Sequence, residues 1–165
     1  PVNIEPFIGI DVVNVKSAAD MAEAVAARSE ASDIVVMCSA VADYTPTHYS
    51  PQKVKKSDGE LSIPLARTTD ILHTLGMKKK EGQMLVGFSM ETENLIENSR
   101  KKLSKKNADI ICANTIADGG DTGFAVDTNQ VTLITETEVI TLPLCTKEET
   151  ADLILSHIVE LQKEK

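Results

Sequence analysis

The sequence predicts an α/β fold: a mostly parallel sheet with helices on both faces and a C-terminal β-hairpin. Three observations predict it. The segments "DIVVMCSA", "MLVGF" and "DIICAN" are short continuous apolar runs, the pattern of strands covered on both faces. Helix-patterned segments separate these runs, which is the alternation that builds a parallel sheet. Near the end, "QVTLITETEVITLPL" reads as two strands around Glu136-Thr137-Glu138, giving the antiparallel departure.

Each element has its own signal. "PVNIEPF" is turn-like or extended, so the chain is expected to open on a loop, as a fragment would, and "IGIDVVNV" reads as a strand. "SAADMAEAVAARSE" is a helix with Ser17 as N-cap and Asp20 three residues on, close to a capping box. After "DIVVMCSA", the stretch "ELSIPLAR" alternates apolar and polar residues from Leu61 to Leu65, as a half-exposed strand does, and "TTDILHTLGMKKK" is a short helix starting under Thr68 or Thr69. "MLVGF" is a buried strand. "ETENLIENSRKKLSKKN" is a helix with Leu95, Ser99 and Leu103 along one face, followed by the strand "DIICAN". "TKEETADLILSHIVELQKEK" is a final helix whose capping box is Thr146 and Glu149. The whole is a Rossmann-like arrangement without repeat, linker or low-complexity stretch.

Length and charge bound the function. At 165 residues the chain is one domain, residues 1–165, with room for one sizeable core. Seventeen basic against 25 acidic residues leave a net charge of -8, which argues against a general binder of nucleic acid or of an anionic membrane, so any anion site must be local. No run approaches the roughly 20 apolar residues of a membrane span. Cys38, Cys112 and Cys145 stand far apart without a CxxC or paired histidines, so they are expected to be reduced, buried thiols of a soluble cytoplasmic protein.

Chemistry concentrates at one strand end. The run Ile34-Val35-Val36-Met37 stops in the small residues Cys38-Ser39-Ala40, with Asp43 just beyond. In open parallel sheets ligands sit past the carboxyl ends of the strands, where small residues let a ligand approach the backbone. A tight turn with a solvated aspartate gives the same pattern, and Tyr44 would suit either. Between Asn98 and Ala108 lie Arg100, Lys101, Lys102, Lys105 and Lys106 with no acid. Lys102 and Lys106, four apart, share a helix face and would reach one anion together. One or two bases would serve the helix dipole, whereas five suggest a polyphosphate. Lys53, Lys55 and Lys56 form a second basic group, either a loop closing over phosphates or a solvated surface loop. His48, His73 and His157 are isolated and read as ordinary surface or core residues.

Six stretches together carry a resemblance: "SAVADYTP" with the downstream "KVKK", "TTDIL", "VGFSMETENL", "RKKLSKKNADIICANT" and "GFAVDTNQVTLIT", in that order and spacing. They resemble the synthetase domain of bacterial phosphopantothenoylcysteine synthetases, over almost the whole chain. The resemblance implies a ligase of coenzyme A biosynthesis. The carboxylate of 4'-phosphopantothenate attacks the alpha-phosphate of CTP, pyrophosphate leaves, and the amine of L-cysteine displaces CMP from the acyl-cytidylate, with no protein nucleophile. It also implies residue roles: nucleotide contacts at Met37, Cys38, Ser39, Asp43, Lys53, Thr69, Asp70, Ile71, Leu72, Phe88, Lys102 and Lys106, with Mg2+ on the triphosphate facing Asp43. Lys53 matches the catalytic lysine of the family's flap, and Asn114 marks a substrate-side strand end. A homodimer built around residues 57–67 and a flavin-dependent decarboxylase domain fused or associated are further implications.

The family's opening strand, its glycine- and threonine-rich turn and a later loop with an important asparagine have no counterpart before Pro1. The expectation is therefore a synthetase domain lacking its N-terminal strand-loop-helix segment. Two other classes stay in view. A dinucleotide-dependent oxidoreductase would want a GxGxxG after a strand, and Gly119-Gly120 sits in a loop with no helix opening on it. A non-catalytic nucleotide-binding or oligomerisation module would need the anion site and no flap lysine. Within the ligase reading, ATP is the alternative to CTP.

Overall fold

The computed structural model describes residues 7–55, 62–115 and 126–163. The chain divides into two compact units, one of Pro1–Arg28 and Val41–Thr69, the other of Ser29–Ala40 and Asp70–Lys165.

The larger unit is the α/β layer. Its strands are β1 (Ile34–Met37), β4 (Met84–Glu91), β5 (Ile110–Thr115), β7 (Thr132–Ile134) and β8 (Val139–Thr141), in the spatial order β1-β4-β5-β7-β8. The first three are parallel, with Val36 opposite Val86 and Phe88 opposite Cys112, and β7 and β8 add antiparallel as the hairpin read from sequence. Helices cover both faces. Against one face α4 (Lys147–Lys163) packs Ile154 and Ile158 onto Met84, Val86, Ile110, Cys112 and Leu133. On the other, α3 (Leu95–Lys106) brings Leu103, and half-buried Leu95, onto Ile111, Ala113 and Ile134, with Leu72 of α2 (Ile71–Lys78) beside them. Period-2 alternation along Ile110-Ile111-Cys112-Ala113 sends successive side chains to opposite cores, so no position in the run can be polar. Each of those buried aliphatic side chains contributes about 1.5–3 kcal/mol.

Two glycines let the α2 layer close. A Cβ at Gly76 would lie 1.8 Å from the Lys106 carbonyl oxygen, and one at Gly87 would lie 2.5 Å from the Leu72 side chain. Only the missing side chain allows α2 to reach α3 and the sheet at that separation. Asn107, in the left-handed conformation, ends α3 and donates its side-chain amide to the Gly76 carbonyl at 2.8 Å. At the amino end of the sheet Lys79 meets Asp109 at 3.0 Å, and Asp109 accepts the Leu85 amide at 2.7 Å. The Thr146/Glu149 capping box of α4 forms as read, the Thr146 hydroxyl accepting from the Glu149 amide and the Glu149 carboxylate from the Thr146 amide. A short ribbon of β6 (Thr128–Asn129) and β9 (Cys145–Thr146) leads into that helix.

The smaller unit holds α1 (Ala18–Ser29, whose last residue belongs to the larger unit) and a two-stranded antiparallel ribbon, β2 (Tyr44–Pro46) with β3 (Leu65–Arg67). The Ser17/Asp20 box caps α1, with reciprocal bonds of 3.1 and 3.0 Å. None of the unit's described residues is buried.

Several expectations change. "IGIDVVNV" is not a strand: residues 8–15 join no ladder among the described residues and Ile8, Ile10, Val12 and Val13 are exposed, because an apolar run becomes a strand only where a ladder partner takes its backbone groups. In the described part of "ELSIPLAR" only Leu65–Arg67 is strand, and its partner is Tyr44-Thr45-Pro46, a strand the sequence did not mark. Helix α2 is capped by Asp70, whose carboxylate accepts the His73 amide at 3.0 Å, and not by Thr68 or Thr69. The Thr68 hydroxyl is already engaged with the Ala42 carbonyl at 2.6 Å. Of the thiols, Cys112 is buried, Cys145 half-buried and Cys38 exposed, since Cys38 lies one residue past the end of β1. Lys56, Gly119-Gly120, the Gly123-Phe124-Ala125 start of the last motif and residues 57–61 of the expected dimer contact lie outside the described residues.

Candidate active site at the carboxyl edge of the sheet

Parallel β1, β4 and β5 end at one edge, and there the larger unit opens into a cavity of about 630 Å³. Cys38, Ser39 and Ala40 line it from the end of β1, Phe88, Ser89 and Met90 from β4, and Asn114 from β5, with Thr150, Ala151 and Ile154 of α4 behind. Strand alternation explains the choice. Met84, Val86, Phe88 and Met90 share one face of β4, so the row that makes the α4 core at its start makes the cavity wall at its end.

The other row of β4 carries charge. Ser89 and Glu91 turn toward α3, where the Lys102 ammonium donates to the Ser89 hydroxyl at 2.9 Å and to the Glu91 carboxylate at 2.6 Å. Ser89 also lines the cavity, so the apolar hollow and the lysine meet at one residue. Glu91 accepts further from Ser89 and from Asn98. Burial pushes the Glu91 carboxyl up, but the Lys102, Ser89 and Asn98 bonds outweigh it and hold the group below the usual glutamate range.

One turn along α3, Lys106 is ion-paired with Asp70, the N-cap of α2. Asp70 is likewise pushed up by burial and brought below its ordinary value by Lys106 and the His73 amide. The His73 ring nitrogen Nδ1 lies 3.0 Å from the Lys105 carbonyl, and since a carbonyl only accepts, Nδ1 carries the proton. The burial of the two ion pairs is reversed. Lys102 is 45% exposed on a carboxylate 12% exposed, whereas Lys106 is 16% exposed under a carboxylate 48% exposed.

The structure therefore brings together many of the residues chosen from sequence. Cys38, Ser39, Phe88 and Asn114 share the cavity, and Met37 closes β1 beside it. Asp70, Lys102 and Lys106 lie on the α2–α3 side of the sheet, while Ile71 is buried in the first turn of α2 and Leu72 packs on the sheet, so their side chains serve the fold. Asp43, Lys53 and Thr69 belong to the smaller unit. Asp43 and Lys53 are exposed, and the Asp43 carbonyl is tied to the Thr68 amide at 2.9 Å.

Lys102 and Lys106 lie one turn apart on α3, and each already holds a carboxylate supplied by another element, Glu91 of β4 and Asp70 at the start of α2. Of their neighbours, Arg100 donates to the Glu136 carbonyl at 3.0 Å and Lys101 pairs with Glu97 at 2.7 Å. Reading the sequence missed Ser89 and Glu91. Their signal was present in "VGFSMETENL", because positions 87, 89 and 91 of one strand must share a face. Among the described residues no three His, Cys, Asp or Glu side chains converge as a metal site. A magnesium ion held mostly by substrate phosphates and water needs no more than one or two protein carboxylates, and Asp43 is exposed.

Comparison with known proteins bears on this edge. Residues 1–161 match the model of the DNA/pantothenate metabolism flavoprotein C-terminal domain. The coenzyme A biosynthesis bifunctional protein CoaBC of Bacillus subtilis is 44% identical over 166 residues, covering 99% of this chain and 40% of that protein. A cysteine/cysteine sulfinic acid decarboxylase from an unknown prokaryotic organism is 41% identical over 98% of this chain and 45% of its own length. The chain thus spans less than half of either curated relative. Among solved structures, a crystal structure of the C-terminal domain of a CoaBC protein superposes with a TM-score of 0.80 at 38% identity, over all of this chain and 72% of that one.

Proposed function

The chain belongs to the DNA/pantothenate metabolism flavoprotein C-terminal domain family, and from that premise we propose that it is the synthetase part of a phosphopantothenate–cysteine ligase, joining 4'-phosphopantothenate to L-cysteine through an acyl-cytidylate made from CTP. The observation that carries the reading is the meeting at Ser89 of an apolar cavity and a fixed lysine, at the strand edge where α/β sheets bind nucleotides. A triphosphate needs cations on one side and a hollow for its uncharged part on the other, and this edge offers both. The names of the CoaBC relatives support the pathway.

In this reading Lys102 and Lys106 take phosphates, and Cys38, Ser39 and Phe88 border the base and ribose. Asn114 faces the acyl substrate, and Mg2+ enters with the triphosphate; Asp43 as its protein ligand rests on family resemblance. The catalytic role of Lys53 and the choice of CTP over ATP rest on family resemblance. So do a homodimer built around residues 57–67 and a flavin-dependent decarboxylase domain, fused or associated. A two-stranded ribbon with Leu65 and Ile63 exposed has the chemistry of a contact surface, and a monomer by light scattering at micromolar concentration would remove the dimer.

The testing experiment supplies 4'-phosphopantothenate with CTP or with ATP, each with Mg2+, and measures pyrophosphate, then adds L-cysteine and measures the amide. The reading expects pyrophosphate with CTP, little with ATP, and amide only after cysteine. The decarboxylase relative sets the rival outcome: carbon dioxide from cysteine with no nucleotide requirement would replace this reading.

A further inference from the structure

Glu91 has no part in the roles assigned so far, yet it is the most firmly held charged group at the site. Its carboxylate accepts from the Lys102 ammonium at 2.6 Å, from the Ser89 hydroxyl, and from the Asn98 side-chain amide at 3.2 Å. Asn98 is fixed in turn by the Glu93 carbonyl at 3.0 Å. We infer that Glu91 is a positioning residue for nucleotide binding: it holds the Lys102 ammonium beside Ser89, at the rim of the cavity, in the orientation that meets a nucleoside triphosphate. The inference rests on the reading of Lys102 as a phosphate ligand.

The geometry separates positioning from competition. An ammonium has three N–H bonds. Two of those on Lys102 are taken by Ser89 and Glu91, and with its side chain 45% exposed the third is left for a ligand. Glu91, 12% exposed and held from three sides, stays in place when a phosphate arrives. A long lysine side chain otherwise loses its rotamer freedom on binding, and fixing it in advance removes that loss from the binding step. Ser89 completes the relay by accepting from Lys102 while donating to Glu91. Lys106 shows the opposite arrangement, a shielded ammonium under an exposed Asp70, so the same inference does not extend to it.

The test is a double-mutant cycle read by titration calorimetry with CTP and Mg2+, on the full chain: wild type, Glu91→Gln, Lys102→Gln and the double variant. Glu91→Gln is expected to raise Kd about five- to tenfold in the wild-type background and to change nothing further when Lys102 is already Gln, since a group acting only through Lys102 has no effect without it. Equal losses in both backgrounds would make Glu91 merely structural, and tighter binding would make it a competitor of phosphate; either overturns the inference. If Lys102→Gln binds CTP as wild type does, the phosphate reading itself fails, a result distinct from an uncoupled Glu91. Should Glu91→Gln lose its cooperative thermal melt, Asn98→Ala takes its place in the cycle, with an expected rise of about twofold that likewise vanishes without Lys102; an Asn98→Ala effect independent of Lys102 overturns the inference.

Discussion

The two units of this chain place their apolar residues differently. In the larger unit Met84, Val86, Ile110, Ile111, Leu133, Ile134 and Ile158 are at most 2% exposed, on two cores separated by the sheet. In the smaller unit Ile8, Val54, Ile63 and Leu65 are more than half exposed, although α1 and the ribbon make regular local bonds. Local hydrogen bonding and core burial are thus separable: the first gives an element its shape, the second gives it stability. Lys102 and Lys106 lie in the unit with the core, where an ammonium can be held in place, and Lys53 lies in the unit none of whose described residues is buried.

The largest expected effects come from removing buried methyl groups. Ile110→Ala should lower unfolding stability by about 2–5 kcal/mol, whereas Leu65→Ala should change it by no more than about 0.5 kcal/mol. Urea denaturation followed by circular dichroism compares them directly, and similar losses would break the contrast between the units.

Acid should act on the larger unit through the two lysine-paired carboxylates of the candidate site, Glu91 and Asp70. Burial pushes both carboxyls up, and the Lys102 and Lys106 bonds with their neighbouring hydrogen bonds bring them below their ordinary values. Their stabilisation is complete above those values and is lost as pH falls through the lower folded ones. The urea midpoint of wild type should therefore fall below about pH 4, and its advantage over a Glu91→Gln, Asp70→Asn double variant should shrink over the same range. An advantage that persists at pH 2 would contradict the ion-pair assignments.

The smallest effect sharpens the comparison most finely, because the same capping box occurs once in each unit. Thr146→Ala should cost about 1 kcal/mol of global stability. Ser17→Ala removes an equivalent bond from α1 and should leave the global urea midpoint unchanged, with faster amide hydrogen exchange confined to α1.

How far the sequence disclosed these features follows the same division. Where burial and local chemistry agreed, as in "DIICAN", "MLVGF", the C-terminal hairpin and both capping boxes, the pattern was sufficient to read the element. "IGIDVVNV" misled because apolarity alone does not supply a strand partner, and Asp70 was overlooked as a cap because Thr68, the better-looking candidate, is spent on the distant Ala42 carbonyl. The basic run of α3 was legible in the sequence. The pairing of its Lys102 and Lys106 with Glu91 and Asp70 was not, since it depends on a strand-to-helix contact and a helix-to-helix contact across sequence separations of 11 and 36 residues.

The central claim is that the larger unit's lysines bind the nucleotide while Lys53 acts on the reacting group, and one kinetic comparison tests it most directly. In the full chain, with 4'-phosphopantothenate and L-cysteine saturating, turnover and CTP affinity are measured for Lys53→Gln, Lys102→Gln and Lys106→Gln. Lys102→Gln and Lys106→Gln are expected to weaken CTP binding about tenfold or more, a charge-assisted contact of about 1.5–3 kcal/mol, and to recover most of their rate at saturating CTP. Lys53→Gln is expected to depress turnover with CTP affinity little changed, because only contacts stronger in the transition state raise the rate constant. If all three variants lose binding alike and Lys53→Gln keeps its turnover, Lys53 is an ordinary phosphate ligand and the division of labour is wrong.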